Sequence, residues 1–105
     1  MVLIVDDIPG NIYSLKKSLE LKGFPVDTAL SGEEALKKIL KNSYFLIIPD
    51  VQMPGMDGFE VAETISDYSK TKDIPIIFLS AVNTDKKSSP RDIHPVVWTS
   101  NLKNK

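Results

Sequence analysis

The strongest constraint on the fold is the alternation of short, β-branched apolar runs with segments of helical periodicity. Val2 to Val5 is a continuous apolar run that stops at Asp6-Asp7, as a strand buried on both faces does. Ile8, Ile12, Leu15 and Leu19 then recur at helical spacing, and Gly23 stands where a C-terminal cap belongs. Phe24 to Leu30 reads as a second, weaker strand. Ser31 followed by Glu34 is a capping-box pattern, and Ala35, Leu36, Ile39 and Leu40 supply the next apolar stripe. Tyr44 to Ile48 reads as a third strand ending at Pro49-Asp50. The loop Val51 to Gly58 carries the turn residues Pro54, Gly55 and Gly58. Phe59, Val61, Ala62 and Ile65 mark a third helix, and Pro75 to Leu79 a fourth strand. After Asp85 the pattern decays: Pro90 and Pro95 interrupt it, and only Val96 to Trp98 reads as strand. Such alternation predicts right-handed βαβ crossovers and a parallel sheet with helices on both faces.

Composition narrows the function classes. The 105 residues suit a single domain, 1–105. A net charge of −1 gives no basic field for nucleic acid or an anionic membrane. Without cysteine there is no disulfide, thiolate catalysis or Cys-based zinc site. No apolar run approaches the roughly 20 residues that span a bilayer, and Met1 to Val5 lacks the basic flank of a signal peptide. A cytoplasmic α/β domain is expected.

The carboxylates carry the chemistry. Asp6 and Asp7 end the first strand, and Asp50 ends the third. Ligands of open parallel sheets bind beyond those strand ends, so with strand three beside strand one the three side chains converge. Like charges about 5 Å apart repel by roughly 3 kcal/mol at an effective dielectric near 20. Mg²⁺ offsets such repulsion, takes oxygen ligands, and keeps water positions open to phosphate oxygens. Asp50, alone at its strand end, is the better nucleophile for attack on phosphorus to give an acyl phosphate. Ser80, just past the fourth strand, is placed to donate to a phosphoryl oxygen. Singly, each residue has a duller reading: Asp50 as a turn former, Asp6-Asp7 as a helix cap. His94, Met53, Met56 and the lysine pairs read as surface or packing residues, and no G-x-x-x-x-G-K phosphate cradle is present.

Leu3-Ile4-Val5-Asp6-Asp7 with Pro9 and Asn11, then Asp50-Val51-Gln52-Met53-Pro54-Gly55-Met56-Asp57-Gly58, resembles the receiver domain of two-component response regulators. Ser31 to Leu36 and Pro75 to Ala81 fit the same pattern, and the likeness runs over residues 2–87. The resemblance implies a flavodoxin-like doubly wound parallel sheet of order 2-1-3-4-5. It implies phosphorylation of Asp50 by a sensor histidine kinase, which switches an output domain or partner protein. Asp7 and Asp50 would ligate Mg²⁺ directly, Asp6 largely through water, and the Gln52 backbone carbonyl would add a ligand. Ser80 would bond the phosphoryl group. On this reading the domain is a phosphoacceptor rather than an enzyme.

Two departures complicate that picture. Pro49 precedes Asp50 and lacks the N–H of a central strand, which would displace Asp50. Residues 88–105 form a divergent tail, so the C-terminal α/β units are incomplete or altered. The family lysine has no aligned equivalent; Lys103 is the nearest substitute. Permissive codons for Ser88 to Leu102, read two bases downstream, yield I-T-K-G-Y-S-S-G-S-V-D-F-K-P, similar to the receiver segment K-G-Y-x-x-G-A-V-D-Y followed by K-P. A frameshift near Lys87 is therefore expected. It would expose the flank of the fourth strand and invite homodimerisation or domain swapping. A phosphorylation-independent pseudo-receiver interaction module is the alternative. An aspartyl phosphatase is disfavoured, because Gln52 stands where a second Asp would act.

Overall fold

The computed structural model describes residues 1–81 and the strand 93–98, with side chains described to residue 78. Its elements in chain order are β1 (Val2–Val5), α1 (Pro9–Leu21), β2 (Val26–Ala29), α2 (Gly32–Lys41), β3 (Leu46–Pro49), α3 (Gly58–Asp67), β4 (Ile76–Ala81) and β5 (Ile93–Trp98). The strands form one sheet of order β2-β1-β3-β4-β5. β1 pairs in parallel with β2 and β3, and β3 with β4.

Period-two alternation sorts the strand side chains between two cores. Leu3, Val5, Ile47, Ile76 and Phe78 meet Ala35 and Ile39 of α2 and Val61, Ala62 and Ile65 of α3. Val2, Ile4 and Ile48 point the other way, onto Ile12 of α1, with Leu15 and Leu19 packed alongside. β1 is thus buried on both faces, as its unbroken apolar run predicts.

Helix ends follow local chemistry. Gly23 adopts φ +92° after α1. Its N–H donates to the Glu20 carbonyl at 3.0 Å and the Phe24 N–H to the Leu19 carbonyl at 3.1 Å, a Schellman closure. The Ser31 hydroxyl caps α2 by accepting from the Glu34 N–H at 3.1 Å, while the Glu34 carboxylate takes the Leu30 N–H at 2.9 Å. Three residues assigned to helical stripes are more exposed than a core stripe requires, although the Phe59 ring still packs on Phe78. Ile8 precedes α1 as its N-cap, and Ile8, Leu40 and Phe59 are 52%, 55% and 44% exposed.

The expected strand order holds, but β5 runs antiparallel to β4, from Ile76↔Trp98 to Ala81↔Ile93. Residues 82–92 are fewer than the dozen or more, usually helical, that a parallel crossover needs. β4 is therefore an inner strand, and the exposed flank that motivated domain swapping is covered. Pro95 falls in β5, at the edge of the sheet, where a missing donor is tolerated.

Pro49 belongs to β3, opposite Val5. Backbone donors alternate in direction along a strand. The Asp50 N–H donates to the Val5 carbonyl at 2.7 Å and the Ile47 N–H to the Pro75 carbonyl at 3.1 Å. The donor missing at Pro49 therefore faces β4, not β1. The β3–β4 ladder has a single registered pair, Ile47↔Ile76, whereas the tie holding Asp50 to β1 is intact. The expectation that Pro49 displaces Asp50 is corrected accordingly.

Candidate functional site

β1 and β3 end side by side, and this juxtaposition builds the site. One carboxylate oxygen from each of Asp6, Asp7 and Asp50 lies within 4.8 Å of the others, the spacing of a divalent-cation site. The Asp6 N–H donates to the Ala29 carbonyl of β2 at 3.1 Å, fixing the end of β1 from its other side. Asp6 Oδ1 also accepts the Ile8 N–H at 2.9 Å, a local turn that ties this side chain, which also faces the cluster, to the chain entering α1. Asp6 and Asp50 are half-buried.

Burial pushes the Asp50 carboxyl above the usual carboxylate range, and the charges of Asp6 and Asp7 add to the rise. The backbone N–H groups of Val51 and Gln52, just past the carboxylate in the chain, oppose the rise without reversing it. The site therefore resists its own negative charge and is chemically suited to a hard cation. A cavity of about 590 Å³ opens beside it between α1 and the ends of β1 and β3, lined by Asp6, Asp50, Asn11, Ser14 and Pro49 among others.

Ser80 lies within β4, next to its last residue Ala81, rather than beyond the strand; its side chain lies outside the described part, and Lys103 outside the described residues. Gln52 sits on the exposed loop after Asp50. Sequence reasoning missed the cap that anchors this loop. Asp57 Oδ1 accepts the Glu60 N–H at 2.9 Å, and Glu60 Oε1 accepts the Asp57 N–H at 3.3 Å. The spacing of Asp57 and Glu60 was the available signal, masked by the turn residues around it. Among the described residues no helix is long and apolar enough to cross a membrane.

Comparisons with known proteins converge on this geometry. The sequence model of the response regulator receiver domain matches residues 2–90. The response regulator PleD of Caulobacter vibrioides is 37% identical over 82 residues, covering 78% of this chain and 18% of PleD. The sensor protein EvgS of Escherichia coli K12 is 42% identical over 80 residues, 76% of this chain and 6% of EvgS. The chain thus spans less than a fifth of the length of either relative. Among solved structures, the response regulator TrrA of Thermotoga maritima, in complex with Mg²⁺-BeF, superposes with a TM-score of 0.72 at 46% identity. That match covers 78% of this chain and 70% of TrrA. Chemotaxis response regulator CheY4 of Vibrio cholerae gives 0.74 at 38% identity, covering 80% and 69%.

Proposed function

Because the chain belongs to the response regulator receiver domain family, we propose that it acts in the cytoplasm, where Asp50 accepts a phosphoryl group from the phosphohistidine of a sensor kinase and thereby switches an output domain or partner protein. The observation that carries this reading is the convergence of Asp6, Asp7 and Asp50 within 4.8 Å. An Asp50 oxygen attacks phosphorus as the phosphorus–nitrogen bond breaks, and the electron pair of that bond returns to the imidazole. Asp7, Asp50 and the Gln52 carbonyl would hold Mg²⁺ directly and Asp6 largely through water, and the ion would supply charge neutralisation at the transferring phosphoryl group. The Mg²⁺-BeF complex of TrrA, at 46% identity, supports that choice of cation. The Val51 and Gln52 amides favour the charged form of the nucleophile. Ser80 donates to a phosphoryl oxygen, and Lys103 replaces the family lysine.

As a receiver domain the chain is a phosphoacceptor rather than a classical enzyme. The pseudo-receiver alternative leaned on Pro49 and on the missing family lysine; the donor missing at Pro49 faces β4 and leaves the Asp50 tie to Val5 in place, while the substitute Lys103 lies outside the described residues. Residues 1–105 are read as one domain with a divergent tail from residue 88, produced by a frameshift near Lys87. Sequencing the encoding DNA tests that origin: a frame with no trace of K-G-Y or V-D-F in any register sinks it. Phosphotransfer itself is tested by intact mass after incubation with acetyl phosphate and Mg²⁺. The parent is expected to gain one phosphoryl group and Asp50→Asn none; a parent that gains nothing overturns the reading.

A further inference from the structure

Gly58 is buried at the first position of α3 and stands directly against the backbone of Asp50. A Cβ added there would lie well inside contact of the Asp50 carbonyl oxygen. It would also lie 2.9 Å from the Asp50 carbonyl carbon and 3.0 Å from Phe78 Cε1. We propose that Gly58 is a positioning residue for the acidic site, its missing side chain fixing where the Asp50 carboxylate and the amides that follow it stand. The proposal rests on the reading of Asp50 as the metal-assisted phosphoacceptor.

The demand is for space rather than for backbone conformation. Gly55, three residues earlier, has φ +76°, whereas Gly58 has no positive φ. Neither neighbour can yield easily. The Asp50 N–H is held by the Val5 carbonyl at 2.7 Å, and Pro49 restricts the backbone immediately before it. The Phe78 ring is buried, with the Phe59 ring centroid 4.9 Å away. Gly58 also closes the loop, its N–H donating to the Val51 carbonyl at 3.1 Å. The Val51 and Gln52 amides, whose dipoles favour the charged Asp50 carboxylate, belong to the same short loop. One methyl group at residue 58 therefore pushes on the peptide that follows Asp50, and through it on both the nucleophile and those amides.

Gly32 provides the control, because it is equally buried but a Cβ there would meet side chains only: Val61 Cγ2 at 2.9 Å and Met56 Cβ and Cγ at 3.0 Å. In full-length protein, Gly58→Ala and Gly32→Ala should both lower the denaturation midpoint. Calorimetric titration with Mg²⁺ should then separate them. Gly58→Ala is expected to raise the Mg²⁺ dissociation constant about tenfold or more, with Gly32→Ala near the parent value. Parent-like affinity in Gly58→Ala, or an equal loss in Gly32→Ala, overturns the proposal. A second measurement needs no variant, in case Gly58→Ala fails to fold. On adding Mg²⁺ to the parent, the Gly58 amide should shift and gain exchange protection while the Gly32 amide does not; an unresponsive Gly58 amide also overturns it. A parent that binds no Mg²⁺ overturns the underlying reading instead, and the proposal with it.

Discussion

Asp27 and Asp50 stand on opposite sides of β1, one in β2 and one just after β3, and their surroundings drive them in opposite directions. Burial raises the Asp27 carboxyl, but hydrogen bonds from Tyr44, the Thr28 amide and Lys38, with the Lys38 charge, carry it below the usual range. Tyr44 donates at 2.6 Å and Lys38 at 3.2 Å. The Tyr44 hydroxyl is in turn pushed up to about 12, by burial first and then by Asp27. Asp50 is raised by burial and by two neighbouring carboxylates, and the amides of Val51 and Gln52 do not compensate. The chain satisfies Asp27 with its own donors and leaves Asp50 for something else to satisfy. Partly buried like charges held together are costly, and this local cost is what makes the strand ends a binding site.

The largest test of the contrast is the cation. A ligand that binds only the folded state at about 100 times its dissociation constant adds about 2.7 kcal/mol of stability. Denaturant unfolding of the parent with and without Mg²⁺ should show a gain of that order, and Asp50→Asn most of its loss. In metal-free buffer the same variant should be the more stable protein, by about 1 kcal/mol, since it removes a charge from the cluster at partly solvated range. If Mg²⁺ stabilises both proteins equally, the acidic cluster is not where it binds.

The Asp27 side should respond in the opposite sense. Tyr44→Phe keeps the buried ring but deletes the donor to Asp27. Hydrogen bonds to charged groups contribute about 1.5–3 kcal/mol, and partial exposure of Asp27 lowers the expected loss to about 1–2 kcal/mol. Calorimetric or denaturant unfolding at neutral pH measures it, and no added Mg²⁺ should restore it.

Smaller still is the pH signature, where the two carboxylates carry opposite signs. A depressed folded pKa means that unfolded Asp27 binds more protons, so its contribution is present above the ordinary carboxylate range and is lost as pH falls through the folded pKa. For Asp50 the folded state binds more protons, so stability rises as pH falls from its raised folded pKa toward the unfolded value. Unfolding free energy against pH in metal-free buffer should therefore show a shallower acid-side fall in Tyr44→Phe, where Thr28 and Lys38 still hold Asp27, and should lose its mildly acidic rise in Asp50→Asn. Identical profiles in parent and both variants would break the comparison.

The two regions also differed in how far they could be read from the sequence. The acidic site was legible because its residues terminate apolar runs, and strand ends in a parallel sheet have a known direction and neighbour. The Asp27 network was not, since Lys38 and Tyr44 lie 11 and 17 residues away and meet Asp27 only once α2 has packed on the sheet. The order of strands was expected, but the direction of β5 was not: side-chain alternation is identical for parallel and antiparallel strands, and only the short connection argued for reversal. Likewise Ile8 fits the helical spacing of α1, yet it stands before Pro9 with extended backbone, and the helix starts one residue later.

Pro49 gives the finest test, because two effects of similar size oppose each other there. Pro49→Val adds a donor directed toward β4 and extends a ladder that now has one registered pair, a gain of about 1 kcal/mol. Removing proline also frees the unfolded chain, a loss of about 0.4–1 kcal/mol. The net change in unfolding free energy should therefore fall within about 0.5 kcal/mol of zero. The discriminating readouts are elsewhere. Amide exchange in β4 should slow as the ladder lengthens, while the Mg²⁺ dissociation constant stays at the parent value, because the Asp50 N–H is held by Val5 on the opposite side of β3. Should Pro49→Val instead strengthen Mg²⁺ binding severalfold, the missing donor does reach Asp50, and the position of the acidic site depends on β4 as well as on β1.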